Sequence, residues 1–379
     1  MNTIILSTYP PKQCGIASFS QDLYQSLAAQ GSHAKIAAVS DETVPGAYPK
    51  EVQLAINKNT LSDYAMLAEY INKSHFDFCI IQHEYGIYGG ADGEYLLTFA
   101  RQLDKPYLLV AHTVLKGPSA QQHRILKALA SRAAGIVGMN RRSLRLLAEL
   151  YHAPPAKLHF IHHGVPVFPK FDREQLKRGY GWEERPVITT FGLIGPGKGL
   201  ENGIKAIALL KDKYPQLLYL IAGNTHPVVQ RREGDAYYNS LYALAENMGV
   251  SQHVHFDKRF IPLEELGIYL NLTDIYMTPY PNYEQAVSGT LAYALGCGRA
   301  IVATPYAYAL DMLQDKQCGL IAEGSSAESL AKALDAILGN AEMKLSLEQK
   351  ATLVGQQMSW PRVAQEYIKL SNKILRKTA

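Results

Sequence analysis

Residues 187–199 read VITTFGLIGPGKG, and a helical pattern follows them. Val187 to Leu193 is a short, apolar, β-branched run, the signature of a buried strand. Gly192, Gly195, Gly197 and Gly199 then punctuate a turn that carries one cation, Lys198. A strand, a glycine-rich turn and a helix in that order open a βαβ unit. The first backbone N–H groups of such a helix are free to bind an anion, so a phosphate site is expected here. The turn is not a Walker A loop, because neither Ser nor Thr follows the lysine.

The same alternation extends in both directions. Upstream, apolar runs near 3–8, 34–39, 77–82, 107–111, 135–138 and 158–161 predict strands, with helical patterns near 17–29, 60–73, 93–103, 119–133 and 141–151 between them. Downstream, strands are expected near 217–222, 253–256, 274–278, 300–303 and 319–322. Alternation of this kind predicts an α/β chain with parallel sheets wound on both faces. Residues 166–186 carry three prolines, many charges and no clear period, which predicts a linker. We therefore expect a first Rossmann-like domain over 1–168, a linker over 169–186 and a second Rossmann-like domain over 187–358. A last helix over 359–379 starts after Ser359, with Pro361 in its first turn.

A chain of 379 residues suits two such domains. Hydrophobic residues at 47% and charged residues at 19% exclude a disordered chain, a coiled coil and a collagen-like fibre. Lys plus Arg number 38 against 34 Asp plus Glu, and a net charge of +4 does not demand nucleic acid. Cys14, Cys79, Cys297 and Cys318 lie far apart in sequence, with neither zinc nor disulfide spacing. With no signal-peptide pattern and no apolar run of 18 residues, a cytoplasmic protein is expected.

Ligands of open α/β sheets bind at the carboxyl ends of strands. After the first strand stands Gly15, at a helix start where backbone can approach an anion. After the third predicted strand stand His83, Glu84 and Tyr85, polar and aromatic groups suited to a sugar. The H-E-x-x-H pattern is absent, and so is a D-x-D pair after a strand, so no metal is expected. His112 directly follows an apolar strand, where a neutral ring can meet a hydroxyl. After the run at 274–278 come Glu284, placed to accept from sugar hydroxyls, and Ser288, Gly289 and Thr290, which open a helix with free N–H groups. From Lys116 to Ala148 there are seven Lys or Arg and no Asp or Glu, a bias that fits a solvated helix face or an anionic membrane surface.

As a set, P-P-x-x-C-G-I-A near the start, the Gln82–Gly90 stretch, Ala111-His112-Thr113, His163-Gly164-Val165, the Gly192–Gly199 loop, Tyr280–Thr290, Gly296-Cys297-Gly298 and Ser359-Trp360-Pro361 resemble the family-4 retaining glycosyltransferases of the GT-B fold. The resemblance spans nearly the whole chain. It implies two Rossmann-like domains facing a cleft, with the C-terminal helix crossing back to domain one. It also implies a hexose moved with retention, and without a metal or cofactor, from a nucleotide-diphosphate sugar to a saccharide or lipid-linked acceptor. Domain two would hold the donor, and domain one, with His83, Glu84 and Tyr85, the acceptor. Lys198 matches the lysine that pairs with the donor phosphate, and Gly15 the glycine loop near the diphosphate. His112 resembles the histidine beside the reacting sugar. Glu284 lies within one residue of the first of the family's paired glutamates. Two positions depart: Leu193 replaces the usual arginine, and Tyr293 the second glutamate, which holds the ribose. Each lost charged contact is worth about 1.5–3 kcal/mol. These departures leave two alternatives: a sugar phosphorylase on the same fold, or a non-catalytic sugar- or nucleotide-binding subunit.

Overall fold

The computed structural model describes residues 1–41 and 48–378. The chain divides into two compact units, the first made of Met1–Gly164 plus the segment from Trp360 onward, the second of Val165–Ser359.

The first unit is built on seven strands, β1 Asn2–Ser7, β2 His33–Ser40, β3 Val52–Asn57, β4 Phe78–His83, β5 Tyr107–Ala111, β6 Gly135–Gly138 and β7 Leu158–Phe160. They lie in the order β3-β2-β1-β4-β5-β6-β7 and pair in parallel throughout. Five helices alternate with them: α1 Gly15–Ala29, α2 Leu61–Lys73, α3 Leu96–Gln102, α4 Ala120–Arg132 and α5 Arg141–Glu149. β4 and β5 are buried along their whole length, as continuous apolar runs in a two-faced sheet must be. β3 is absent from the sequence reading. It is an edge strand whose side chains are mostly half-exposed, and VQLAIN mixes polar with apolar residues, so it carries no buried-strand signal. Three of these helices start at a side-chain cap, α1, α4 and α5. Ser119 and Gln122 form a capping box on α4, and Asn140 caps α5 by accepting from Ser143 N–H.

The C-terminal helix, Trp360–Thr378, belongs to this unit and packs on α1. Trp360 Nε1 donates to Asp22 (3.2 Å), and its ring meets Phe19 edge-on at 5.0 Å. Gly164 lies under that indole; a Cβ there would stand 2.2 Å from the ring.

The second unit has six strands, β8 Val187–Phe191, β9 Leu218–Ala222, β10 Val254–Asp257, β11 Ile275–Thr278, β12 Ala300–Ala303 and β13 Leu320–Ile321. Their order is β10-β9-β8-β11-β12-β13, again all parallel. The helices are α6 Arg173–Tyr180, α7 Leu200–Leu210, α8 Pro227–Glu233, α9 Ala236–Asn247, α10 Leu263–Leu272, α11 Gly289–Gly296, α12 Ala307–Ala309, α13 Ala327–Leu338 and α14 Ala341–Gln357; the C-terminal helix is then α15. Successive residues of β9 enter opposite cores. Leu218, Leu220 and Ala222 pack on one face, Tyr219 and Ile221 on the other.

The segment expected to be a linker, 169–186, is not unstructured: it contains α6, capped by Asp172 and ended by Gly181 at φ +68°. Asp274, buried at the start of β11, gathers this segment in. It accepts from Arg173 (3.3 Å), Lys177 (2.7 Å), Lys344 and the Val187 N–H (2.9 Å). Among the described residues no helix is long and apolar enough to cross a membrane.

Candidate functional site

Each sheet has one point where strand order reverses, β1/β4 in the first unit and β8/β11 in the second. In open α/β sheets the loops that leave strands at such a point are where ligands bind.

In the second unit the two loops are held together tightly. Gly199, at φ +65°, lets the β8 loop pass the β11 loop so closely that a Cβ would stand 2.0 Å from Pro279 O. Lys198 Nζ donates to Tyr280 Oη (2.9 Å) and lies 4.5 Å from that ring's centre. Tyr280 Oη in turn hydrogen-bonds Thr290 Oγ1 (2.8 Å), and Ser288 Oγ lies 3.2 Å from the same hydroxyl. Ser288 caps α11, and Gly289 is its first residue. The structure thus brings Lys198, Ser288, Gly289 and Thr290 to one locus: an ammonium, two hydroxyls and a helix N-terminus. Burial pushes the Tyr280 phenol up, but the Lys198 ammonium and the Thr290 and Ser288 hydroxyls outweigh it and hold it below its ordinary value. Such a set is suited to phosphate oxygens.

Glu284 stands exposed on the same loop, with its N–H on Asn282 Oδ1 (3.0 Å). Flanking carbonyls of Tyr283 and Gln285 accept from Ala307 N–H (2.9 Å) and Tyr308 N–H (3.1 Å). Leu193 is half-buried, and the half-buried Tyr293 ring lies 6.3 Å from both Phe168 and Phe191.

In the first unit Gly15 is the first residue of α1, and a Cβ there would meet nothing within 4 Å. Cys14 caps the helix by accepting from Ala17 N–H (3.3 Å). His112 is buried against Phe19, ring centres 4.8 Å apart, and its Nε2 is 2.7 Å from Gln82 Oε1. With that oxygen as acceptor, Nε2 carries the proton and Nδ1 is the acceptor nitrogen. Burial, then His163 and His83 nearby, lowers the ring to about 3, so it is a neutral hydrogen-bonding group rather than an acid. His83 is buried edge-on to Tyr85 at 4.9 Å and is lowered by burial to about 4. Glu84 accepts from Thr113 Oγ1 (2.6 Å) and Tyr85 N–H (3.0 Å); burial outweighs both and raises its carboxyl. His83, Glu84 and Tyr85 are therefore adjacent, with much of their hydrogen-bonding capacity turned inward. Gln82 Nε2 and His83 Nδ1 are buried with no hydrogen-bond partner among the described residues. Basic residues of the Lys116–Ala148 stretch are engaged within the unit. Arg124 pairs with Glu94 (3.1 Å), and Arg132 donates to Ala100 O (2.9 Å) and Arg101 O (3.2 Å).

Sequence reading placed Tyr280 and Gln82 within motif stretches but gave neither a role. Each adjoins a strand end, as the other candidates do, but each meets its partner only through the strand order. No group of three or more His, Cys, Asp or Glu that could hold a metal occurs among the described residues.

Residues 172–354 match the family model of the glycosyl transferases group 1. The GDP-mannose-dependent alpha-(1-6)-phosphatidylinositol monomannoside mannosyltransferase of Mycolicibacterium smegmatis is 27% identical over 173 residues, 44% of this chain and 42% of that protein. The D-inositol 3-phosphate glycosyltransferase of Jonesia denitrificans is 26% identical over 250 residues, 62% of this chain and 56% of that protein. The chain thus spans about half the length of the curated relatives it matches. In three dimensions it resembles Anabaena Alr3699/HepE, solved in complex with UDP, with a TM-score of 0.78 at 14% identity over 98% of this chain and 100% of that one. Sucrose-phosphate synthase from Thermosynechococcus elongatus gives a TM-score of 0.81 at 16% identity, with both chains wholly covered. The chain has the GT-B fold, and most of its second unit matches the family model of the glycosyl transferases group 1.

Proposed function

We propose that this protein is a cytoplasmic glycosyltransferase. It moves a hexosyl group from a nucleotide-diphosphate sugar to a saccharide or lipid-linked acceptor, with retention and without a resident metal. The observation that carries this reading is the anion locus of the second unit, where Lys198, the α11 N-terminus and the Ser288 and Thr290 hydroxyls converge. Similarity to a GDP-mannose-dependent phosphatidylinositol monomannoside mannosyltransferase supports the same class of donor and acceptor.

In this reading the bond from the anomeric carbon to the phosphate oxygen breaks, and the nucleoside diphosphate leaves with the electron pair. The acceptor hydroxyl oxygen bonds to that carbon on the same face, and its proton passes to the leaving phosphate. Lys198 and the free N–H groups of α11 oppose the charge that grows on the phosphate as it leaves. On the first unit, Gly15 keeps the start of α1 open for an anion. Neutral His112 accepts from a sugar hydroxyl at Nδ1 while Gln82 holds Nε2, and Glu284 accepts from the hexose. The first unit, with His83, Glu84 and Tyr85, supports the acceptor.

The test is a thermal-shift screen with UDP, GDP, ADP, their sugar conjugates, inorganic phosphate and hexose 1-phosphates. One nucleotide should raise the melting temperature; binding at a hundredfold excess over Kd is worth about 2.7 kcal/mol. Lys198→Ala should erase that shift and abolish transfer. A shift with phosphate or hexose phosphate alone means a phosphorylase, and binding without turnover on any acceptor means a binding subunit. If the acceptor is lipid-linked, the exposed Lys127, Arg141 and Arg145 meet an anionic membrane. Sedimentation with anionic vesicles checks this, and failure to sediment favours a free saccharide.

A further inference from the structure

The Tyr280 side chain is fixed from every side. Its ring stacks on buried Tyr306 at 5.1 Å and 29°. Its carbonyl accepts from Thr304 Oγ1 (2.6 Å), and its hydroxyl is shared between Lys198 and Thr290. Tyr280 itself is 3% exposed, so it offers a ligand almost no surface. Its two polar contacts come from different loops, 82 residues away towards the N-terminus and 10 residues away towards the C-terminus. A lysine side chain free in water samples many rotamers, and immobilising it on binding costs entropy.

We infer that Tyr280 is the positioning residue of the anion locus: its hydroxyl holds the Lys198 ammonium and the Thr290 hydroxyl in place for a diphosphate. The inference rests on the donor-binding reading of that locus. Lys198 has three N–H donors and spends one on Tyr280, which leaves two for phosphate oxygens. The phenol acts by orienting these groups and need not touch the ligand.

Tyr280→Phe keeps the ring, the stack on Tyr306 and the aromatic face under Lys198, and removes only the hydroxyl. Calorimetric titration of the whole protein with UDP and GDP, and with uridine and guanosine as phosphate-free controls, is the test. Tyr280→Phe is expected to weaken diphosphate binding about tenfold and to leave nucleoside binding unchanged. In the assayed enzyme it raises KM for the donor more than it lowers kcat. The double variant with Lys198→Ala discriminates the role, because once the ammonium is gone the phenol has only the Thr290 hydroxyl left to orient. The double variant is expected to lose clearly less than the two single losses added together. Additive losses, or wild-type affinity in Tyr280→Phe, overturn the inference while the donor reading stands. Wild-type affinity in Lys198→Ala, or no binding of either diphosphate by the wild-type protein, overturns the donor reading and the inference with it. Thr290→Val gives an independent reading if Tyr280→Phe does not fold. It removes the phenol's other partner and should weaken diphosphate binding severalfold, and unchanged affinity overturns the inference equally.

Discussion

Two glycines at strand ends carry opposite expectations. Gly199 is in the left-handed region at φ +65°, and a Cβ there would stand 2.0 Å from the Pro279 carbonyl. That neighbour is backbone and cannot swing away, so Gly199→Ala should force the β8 and β11 loops apart. Strained backbone alone costs about 1–3 kcal/mol, and the clash adds to it. The variant should melt several degrees lower and lose nucleotide binding together, and an unaltered melt would remove the close approach as the reason for glycine. Gly15 has open space around its Cβ position and no positive φ. Gly15→Ala should keep its stability to within about 0.5 kcal/mol yet, under the proposed role of the α1 start in anion binding, lose most transfer. Full activity would take Gly15 out of the donor site.

At the scale of elements, α6 shows how a charged, proline-flanked stretch becomes part of a domain. Its Arg173 and Lys177 reach Asp274, which is 6% exposed, and Arg173 also pairs with Glu348 of α14 (2.6 Å). One carboxylate thus fastens α6, the start of β8 and α14. Asp274→Asn leaves three cations around a neutral amide and should cost about 3–5 kcal/mol, as breaking one partner of a buried pair does. Urea unfolding followed by circular dichroism measures this. A loss below about 1 kcal/mol would show that the cluster is too well hydrated to matter. β3 is the converse case, a strand held by main-chain pairing to β2 rather than by its own apolar character.

At the scale of the whole molecule the two units should answer acid differently. In the first, burial and nearby histidines hold His112 at about 3, and burial holds His83 and His163 at about 4. Unfolded, each takes its proton near pH 6.5. Between about pH 6.5 and 4 the unfolded chain therefore binds more protons than the folded one. The first unit loses stability as pH falls through that window and is insensitive above it. In the second, burial alone would raise Asp274, but Lys344 and Lys177 bring it down to about 2. Its contribution is intact above the unfolded value near 3.9 and is lost only as pH falls towards 2. The chain has two tryptophans, Trp360 in the first unit and Trp182 in the second. In Trp182→Phe the remaining fluorescence should report acid unfolding beginning below pH 6.5, and in Trp360→Phe at distinctly lower pH. Coincident transitions would mean that the units unfold as one.

The sequence by itself determined what depends on neighbours along the chain. Continuous apolar runs alternating with helical periods specify two-faced parallel sheets, and the glycines around Lys198 mark where backbone must turn sharply. Helix starts at Gly15 and Gly289 were legible for the same reason, since a cap acts over three or four residues. Only the tertiary structure decided which loops meet. Tyr280 holds Lys198 from 82 positions away, Gln82 orients His112 across 30, and Asp274 recruits a supposed linker across 101. Such partners leave no periodic trace, because the strand order that brings them together is set by the packing of the whole sheet.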